Sequence, residues 1–184
     1  VVAVSLKKKP LELAGAWHEA RFRTVRYTPG AFEAGRIYYC QHLTPELVWR
    51  PEWQSHANGV RGLAGLTLVS ARPQADAQAY AQAAFGPAHL GERGFSIPSP
   101  GFAVDIVDPD SYAERYGELG CDALGRDSFF GAITLRAGDA QALCRHIAAL
   151  GEQVRSRAWQ RNGQSGVAVA LPGLNTLLDF IYER

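Results

Sequence analysis

Two aspartates sit inside runs of apolar residues, Asp105 in Val104-Asp105-Ile106 and Asp179 in Leu178-Asp179-Phe180. Burying an unpaired carboxylate is costly, so each must face a wet cavity, find a partner, or lie on the solvent face of an amphipathic sheet. In the first case they would be polar anchors of one pocket, placed for proton transfer. His42 and Glu46 flank a predicted turn closely enough to share a site, although a histidine there also suits a turn cap or the surface. Arg21 and Arg23 project to one face of a predicted strand, and Arg155, Arg157, Trp159 and Arg161 to one face of another. Such faces can grip a carboxylate or phosphate bidentately, or can be simply solvated. Trp49 and Trp53, with Pro51 between them, either line a pocket or lock a linker onto a sheet.

No Ser-His-Asp, Cys-His or phosphate-loop spacing is present. Cys40, Cys121 and Cys144 are too few and too widely spaced for a disulfide framework or a zinc motif, so reduced thiols are expected. Cys144 is assigned to the core face of a helix and His146 to its surface. Basic and acidic residues nearly balance, at 19 against 18, and only Lys7-Lys8-Lys9 is clustered, which excludes a nucleic-acid footprint. That triplet is read as a solvated turn or end. Apolar runs are strand-sized, so no membrane segment is expected and a cytoplasmic setting fits. The chain opens on Val1-Val2-Ala3-Val4-Ser5-Leu6 without Met, and a missing upstream part is expected.

The elements that must position these residues follow from periodicity. Gly65 to Val69 predicts a strand, Asp76 to Phe85 a helix stopped by Gly86-Pro87, and the glycine- and proline-punctuated stretch to Val107 several short strands. A polar spacer, Gly117 to Asp127, leads to a second strand at Ala132 to Arg136. A helix capped by Asp139 follows, with three strands at Val154 to Arg161, Gly166 to Leu171 and Thr176 to Tyr182. Matching Gly65 with Ala132 gives a period of about 67 positions, which suggests internal duplication. The expected fold class is α+β: paired βαβββ modules at 62–116 and 128–184, forming curved mixed sheets with helices outside and a concave pocket. Residues 56–61 are read as a linker within the polar stretch Arg50 to Arg61. Residues 1–55 are read as the strand part of an incomplete amino-terminal module, with strands at His18 to Tyr27, Gly35 to His42 and Glu46 to Trp49.

Ala20 to Val25 and the long run Thr44 to Gly59 resemble glyoxalase-like proteins of the vicinal-oxygen-chelate superfamily, which also includes bleomycin-resistance proteins and dioxygenases. Weaker likeness continues through Phe129 to Ile133 and Asn175 to Phe180. The resemblance implies a divalent metal that chelates two oxygens of a substrate, held by His or Gln on the first strand and Glu on the last strand of each paired module. Laid on this chain, the first-strand positions fall near Gly65 and Ala132, which cannot ligate, and the last-strand positions on Asp105 and Asp179. In the amino-terminal part the last-strand position aligns with Trp49, with His42 and Glu46 as neighbouring candidates.

Three functions are compatible with this pattern. One is an enzyme of lyase, isomerase, hydrolase or dioxygenase type acting on a small oxygenated metabolite. Another is a metal-free binder of a small molecule or antibiotic, resembling bleomycin-resistance proteins. A third is a degenerate duplicate that supports a catalytic first domain or a homodimer, in which case large side chains should fill its cleft.

Overall fold

In Val60–Ser70 apolar residues occupy both phases of the strand alternation, and Leu68 on one face and Thr67 and Val69 on the other are all buried. This strand is therefore central, and the rest of its unit is arranged around it. The computed structural model describes residues 2–183, with Val1 and Arg184 outside them, and divides into two compact units, Val1–Ser55 and His56–Arg184.

The first unit is a three-stranded antiparallel sheet of β1 (Val2–Leu13), β2 (Ala16–Tyr27) and β3 (Tyr38–His42), in that order. Ala14 and Gly15 both take positive φ, the pairing that a two-residue hairpin turn of matching twist requires. Lys7-Lys8-Lys9 lies within β1 rather than at a turn, kept in solvent by the strand and with Lys8 paired to Glu19 at 3.0 Å. Glu46 to Trp49 is not a strand. Pro45 starts a short 3-10 turn at Pro45–Leu47, while the Thr44 hydroxyl accepts the Arg21 N–H at 2.9 Å and ends the pairing with β2 there. Among the described residues only Ala20, Thr24, Ala34 and Thr44 of this unit are buried, so the sheet has very little core of its own.

The second unit repeats one order of elements. β4 (Val60–Ser70), α1 (Pro73–Tyr80), β5 (His89–Gly91), β6 (Gly94–Ser99) and β7 (Phe102–Val107) form the first module; β8 (Ser128–Ala137), α3 (Ala140–Leu150), β9 (Arg155–Arg161), β10 (Gln164–Leu171) and β11 (Thr176–Tyr182) form the second. Between them lies α2 (Pro109–Tyr116). Within each module the first and last strands run parallel, β4 with β7 and β8 with β11, and the modules join through the antiparallel pair β4 and β8. The result is one open eight-stranded mixed sheet, β5-β6-β7-β4-β8-β11-β10-β9, the paired βαβββ arrangement that the sequence pattern predicts.

Helices α1 and α3 cover the outer face. α1 lies against β4, β6 and β7 and is fixed by Asp76, a buried acid whose Oδ2 accepts hydrogen bonds from Ser70 Oγ at 2.6 Å and Ser128 Oγ at 3.0 Å. α3 begins at Asp139, which accepts the Ala142 N–H as the sequence predicts, and packs Leu143 and Ile147 onto Val167, Val169 and Phe180. Cys144 is exposed rather than in the core, because the buried stripe of α3 runs through Ala142, Leu143 and Ile147 and turns the thiol toward the rim, 3.8 Å from the Tyr182 hydroxyl.

α2 covers part of the inner face and was not predicted; it follows the last strand of the first module and ends before the polar spacer Gly117 to Asp127. Pro109 and the Asp108 cap, which accepts the Ser111 N–H at 2.6 Å, start it, and Tyr112 and Tyr116 make its buried stripe. These rings pack with Leu119, Phe129, Ala132, Ala168, Ala170 and Leu177. No helix among the described residues is long and apolar enough to cross a membrane.

The buried tyrosines give an alkaline prediction. Burial, and secondarily Asp76, pushes Tyr80 up to about 12, and burial pushes Tyr112 up as well. A folded-state value above the ordinary ~10 means that the unfolded chain releases its proton first, so stability present below pH ~10 falls as pH rises further. The expected loss is about 1.4 kcal/mol per pH unit for each such tyrosine. Melting temperatures measured from pH 8 upward should decline past that point, and less steeply in Tyr80→Phe.

Candidate functional site

Strand register sets the inner face of the second unit. Thr67 stands beside Asp105 across the parallel pair β4/β7, and Thr134 beside Asp179 across β8/β11. Thr67 faces Ala132 and Gly65 faces Thr134 across the central antiparallel pair, so all of these residues lie on one side of the sheet. The first-strand residues flanking the aspartates are therefore threonines, two positions beyond Gly65 and Ala132.

Asp179 is fully buried and its carboxylate is fully engaged. Trp159 Nε1 donates to Oδ1 at 2.6 Å and the Tyr116 hydroxyl donates to Oδ2 at 2.8 Å. Arg115 Nη2 and Arg161 Nη1 approach Oδ2 at 3.2 and 3.5 Å. Two elements deliver these groups: α2 carries Arg115 and Tyr116, and β9 carries Trp159 and Arg161. Gly166, opposite Trp159 on β10, makes room for the indole, since a Cβ there would run into the ring and into the Phe180 carbonyl. Burial, reinforced by the Asp179 charge, raises the Tyr116 pKa, which keeps that hydroxyl a donor. Burial and then the neighbouring Arg115 lower Arg161, while Asp179 opposes the shift.

Asp105 has a different environment. It is half-buried, accepts a hydrogen bond from Ser96 Oγ at 2.7 Å, and opens onto a cleft of about 450 Å³. Val107, Arg115, Trp159, Arg161 and Ile181 line the same cleft. The inner face is thus filled by α2 at one end and open at the other. The two aspartates share a face, but Asp105 lines the cleft while Asp179 is sealed beneath Trp159 and the two arginines.

The remaining candidates belong to the first unit. Arg21 and Arg23 are exposed on β2. The His42 ring meets Phe22 edge-on with centroids 5.1 Å apart and stacks on Trp49 at 5.4 Å, and its buried Nδ1 has no partner. Glu46 is exposed on its turn, and Trp49 is 63% exposed. A separate cleft of about 540 Å³ at the β2–β3 connection, lined by Arg26, Tyr27, Arg36 and Tyr38, was not foreseen. Arg115 and Tyr116 were also missed. The only sequence signal for them is the Asp108-Pro109 helix start followed by tyrosines four apart.

The metal implied by the resemblance does not fit these residues. Asp179 has two cations beside it and both oxygens accepting, Thr67 and Thr134 are poor ligands, and His89, the imidazole that register places on the Asp105 side of the sheet, sits on the edge strand β5 outside the walls of the cleft. Among the described residues no three His, Cys, Asp or Glu side chains group as a metal would require.

No family model and no curated protein matches the chain. Solved structures do. Mycobacterium tuberculosis methylmalonyl-CoA epimerase matches 71% of this chain and 93% of its own at 13% identity, with a TM-score of 0.51. A Streptomyces coelicolor methylmalonyl-CoA epimerase variant in complex with 2-nitronate-propionyl-CoA matches 66% and 96% at 13% identity, with a TM-score of 0.46. A variant of 4-hydroxymandelate synthase from the same organism matches 98% of this chain and 64% of its own at 12% identity, with a TM-score of 0.42. The paired βαβββ sheet is the fold shared with the Mycobacterium tuberculosis epimerase structure, and it is the fold that the glyoxalase-like resemblance implied.

Removing the Asp179 charge should be severe, because it leaves two guanidinium groups without their counter-ion. Asp179→Asn is expected to lower the unfolding free energy by about 3 kcal/mol or more in urea titrations of the full chain, and Tyr116→Phe by about 1–3 kcal/mol. Chelator should leave the melting temperature unchanged, and added Mn²⁺, Ni²⁺ or Zn²⁺ should give no stabilisation that Asp179→Asn abolishes. A stoichiometric ion lost on that substitution would contradict the assignment.

Proposed function

We propose that residues 56–184 are a metal-free small-molecule binding domain whose ligand occupies the cleft beside Asp105. The saturation of Asp179 carries this reading. The acid best placed to serve as the second module's ligand is spent on Tyr116, Trp159 and two arginines, which turns that half of the site from metal-ligating to structural. What remains is a cleft of about 450 Å³ lined mostly by charged and polar side chains, with Phe95, Val107, Trp159 and Ile181 as its apolar wall, a size and character suited to a small polar organic molecule. Filling of the whole inner face, expected of a purely structural duplicate, is limited to the end covered by α2.

Catalysis in this cleft would fall to Asp105, held by Ser96 and open to a bound molecule. A lyase, isomerase or hydrolase reaction run there would use it to carry a proton. Binding is the simpler function because Glu92, the other acid lining the cleft, is exposed on the turn between β5 and β6, which leaves Asp105 as the half-buried acid of the cleft.

Thermal-shift screening of the full chain against small organic acids, alcohols and amines tests the proposal. Ligands should stabilise the chain equally with and without chelator, by about 2.7 kcal/mol at a hundredfold excess over Kd. Ile181→Trp, which places a large ring in the cleft, should abolish the shift. Stabilisation that requires a divalent ion, or that survives Ile181→Trp, would refute it.

A further inference from the structure

We infer that this cleft selects a molecule with a carboxylate at one end, an apolar middle, and a hydrogen-bond donor at the other end. The inference rests on the binding function proposed above and specifies its ligand.

The charge balance comes first. Arg115 and Arg161 share one carboxylate, that of Asp179, so two positive charges against one negative leave one positive charge at the cleft wall. Both guanidinium groups are partly accessible, with side-chain exposures of 24% and 28%. Arg93, also at the cleft, is already engaged by Glu114 at 3.2 Å, and Glu92, an exposed acid on the turn between β5 and β6, makes no ion pair with Arg115 or Arg161 among the described residues. The surplus charge is therefore on the Arg115–Arg161 side.

Arg161 is also held in shape. Its guanidinium lies 4.3 Å from the centroid of the Trp159 ring and 5.5 Å from that of Tyr116, and its approach to Asp179 uses Nη1. A fork fixed on aromatic faces loses little freedom when it accepts a planar carboxylate. That held geometry points to an anionic oxygen pair arriving from the cleft.

The opposite sign sits on the same cleft. Asp105 accepts from Ser96 through Oδ1, and among the described residues no ion pair joins it to Arg115 or Arg161. A half-buried carboxylate and a surplus guanidinium that face one cavity without meeting leave a gap that a two-ended ligand can bridge. Asp105 then requires a hydroxyl, amino or ammonium donor. Val107 and Ile181, each one pleat beyond an aspartate on the inner face, supply apolar wall between the poles.

The test uses 3-(4-aminophenyl)propanoate, its carboxamide, and 3-phenylpropanoate, titrated calorimetrically into the full chain in the presence of chelator. The amino acid should bind about tenfold or more tightly than either analogue, since each loses one charge-assisted hydrogen-bonding end. Asp105→Ala should abolish the advantage over 3-phenylpropanoate, and Arg161→Gln the advantage over the carboxamide. Melting temperatures of the variants establish that they are folded, and the wild-type series decides the question even if a variant is not. A carboxamide that binds as tightly as the acid overturns the inference and leaves the binding function standing. Absence of binding by all three probes and by the wider screen overturns both.

Discussion

A carboxylate excluded from water sets the terms for the second unit. Asp179 sits at the middle of β11 with no exposed surface, and each of its oxygens requires donors that the sheet backbone cannot provide. Meeting that demand requires Trp159 to lie across Gly166 and α2 to settle on the inner face, bringing Tyr116 and Arg115 with it. The connection between the modules is thus part of the site. Its helix is short, and its position depends on one buried carboxylate and two tyrosines more than on its own propensity.

The modules share their order of elements and differ in how they use it. Asp105 and Asp179 occupy corresponding places, each beside a threonine of the first strand of its module. Only Asp179 is reached by α2 and by the long side chains Trp159 and Arg161 of the edge strand β9, whereas Asp105 is met by Ser96 of the neighbouring strand β6. One half becomes a sealed polar core and the other an open cleft. Sealing is tolerated only because both Asp179 oxygens are paired, since a buried charge lacking one of these partners would cost several kcal/mol.

Much of this was legible in the residues. Strand periodicity, the Asp139 cap and the repeated order of β, α and three β elements predict the paired sheet, because these features depend on local spacing. The acidic interruptions at positions 105 and 179 flagged the inner face. Their separate fates could not be read, because they depend on a helix whose buried stripe is only two tyrosines long and on a glycine whose role is to be absent from the path of a ring. Glu46 to Trp49 failed as a strand for a local reason, the start of a 3-10 turn at Pro45, and Cys144 was misassigned because the apolar stripe of α3 is narrower than its composition suggests.

Small residues explain why the inner face beside Asp179 is packed rather than open. Ala132 on β8, with Ala168 and Ala170 on β10, leaves volume on the inner face that ligand-bearing side chains would otherwise occupy, and Tyr112, Tyr116 and Leu119 take it. Close packing favours that exchange, since the rings fill space that would otherwise be a void. Tyr112 is fixed further by donating to the Gly131 carbonyl at 2.7 Å and accepting the Cys121 N–H at 2.8 Å, so the helix cannot shift without breaking buried hydrogen bonds. A larger side chain at position 132 would therefore compete with these tyrosines for the same space. The packing of α2 and the closure over Asp179 are one structural arrangement, and the two guanidinium groups held at the cleft wall are its chemical consequence.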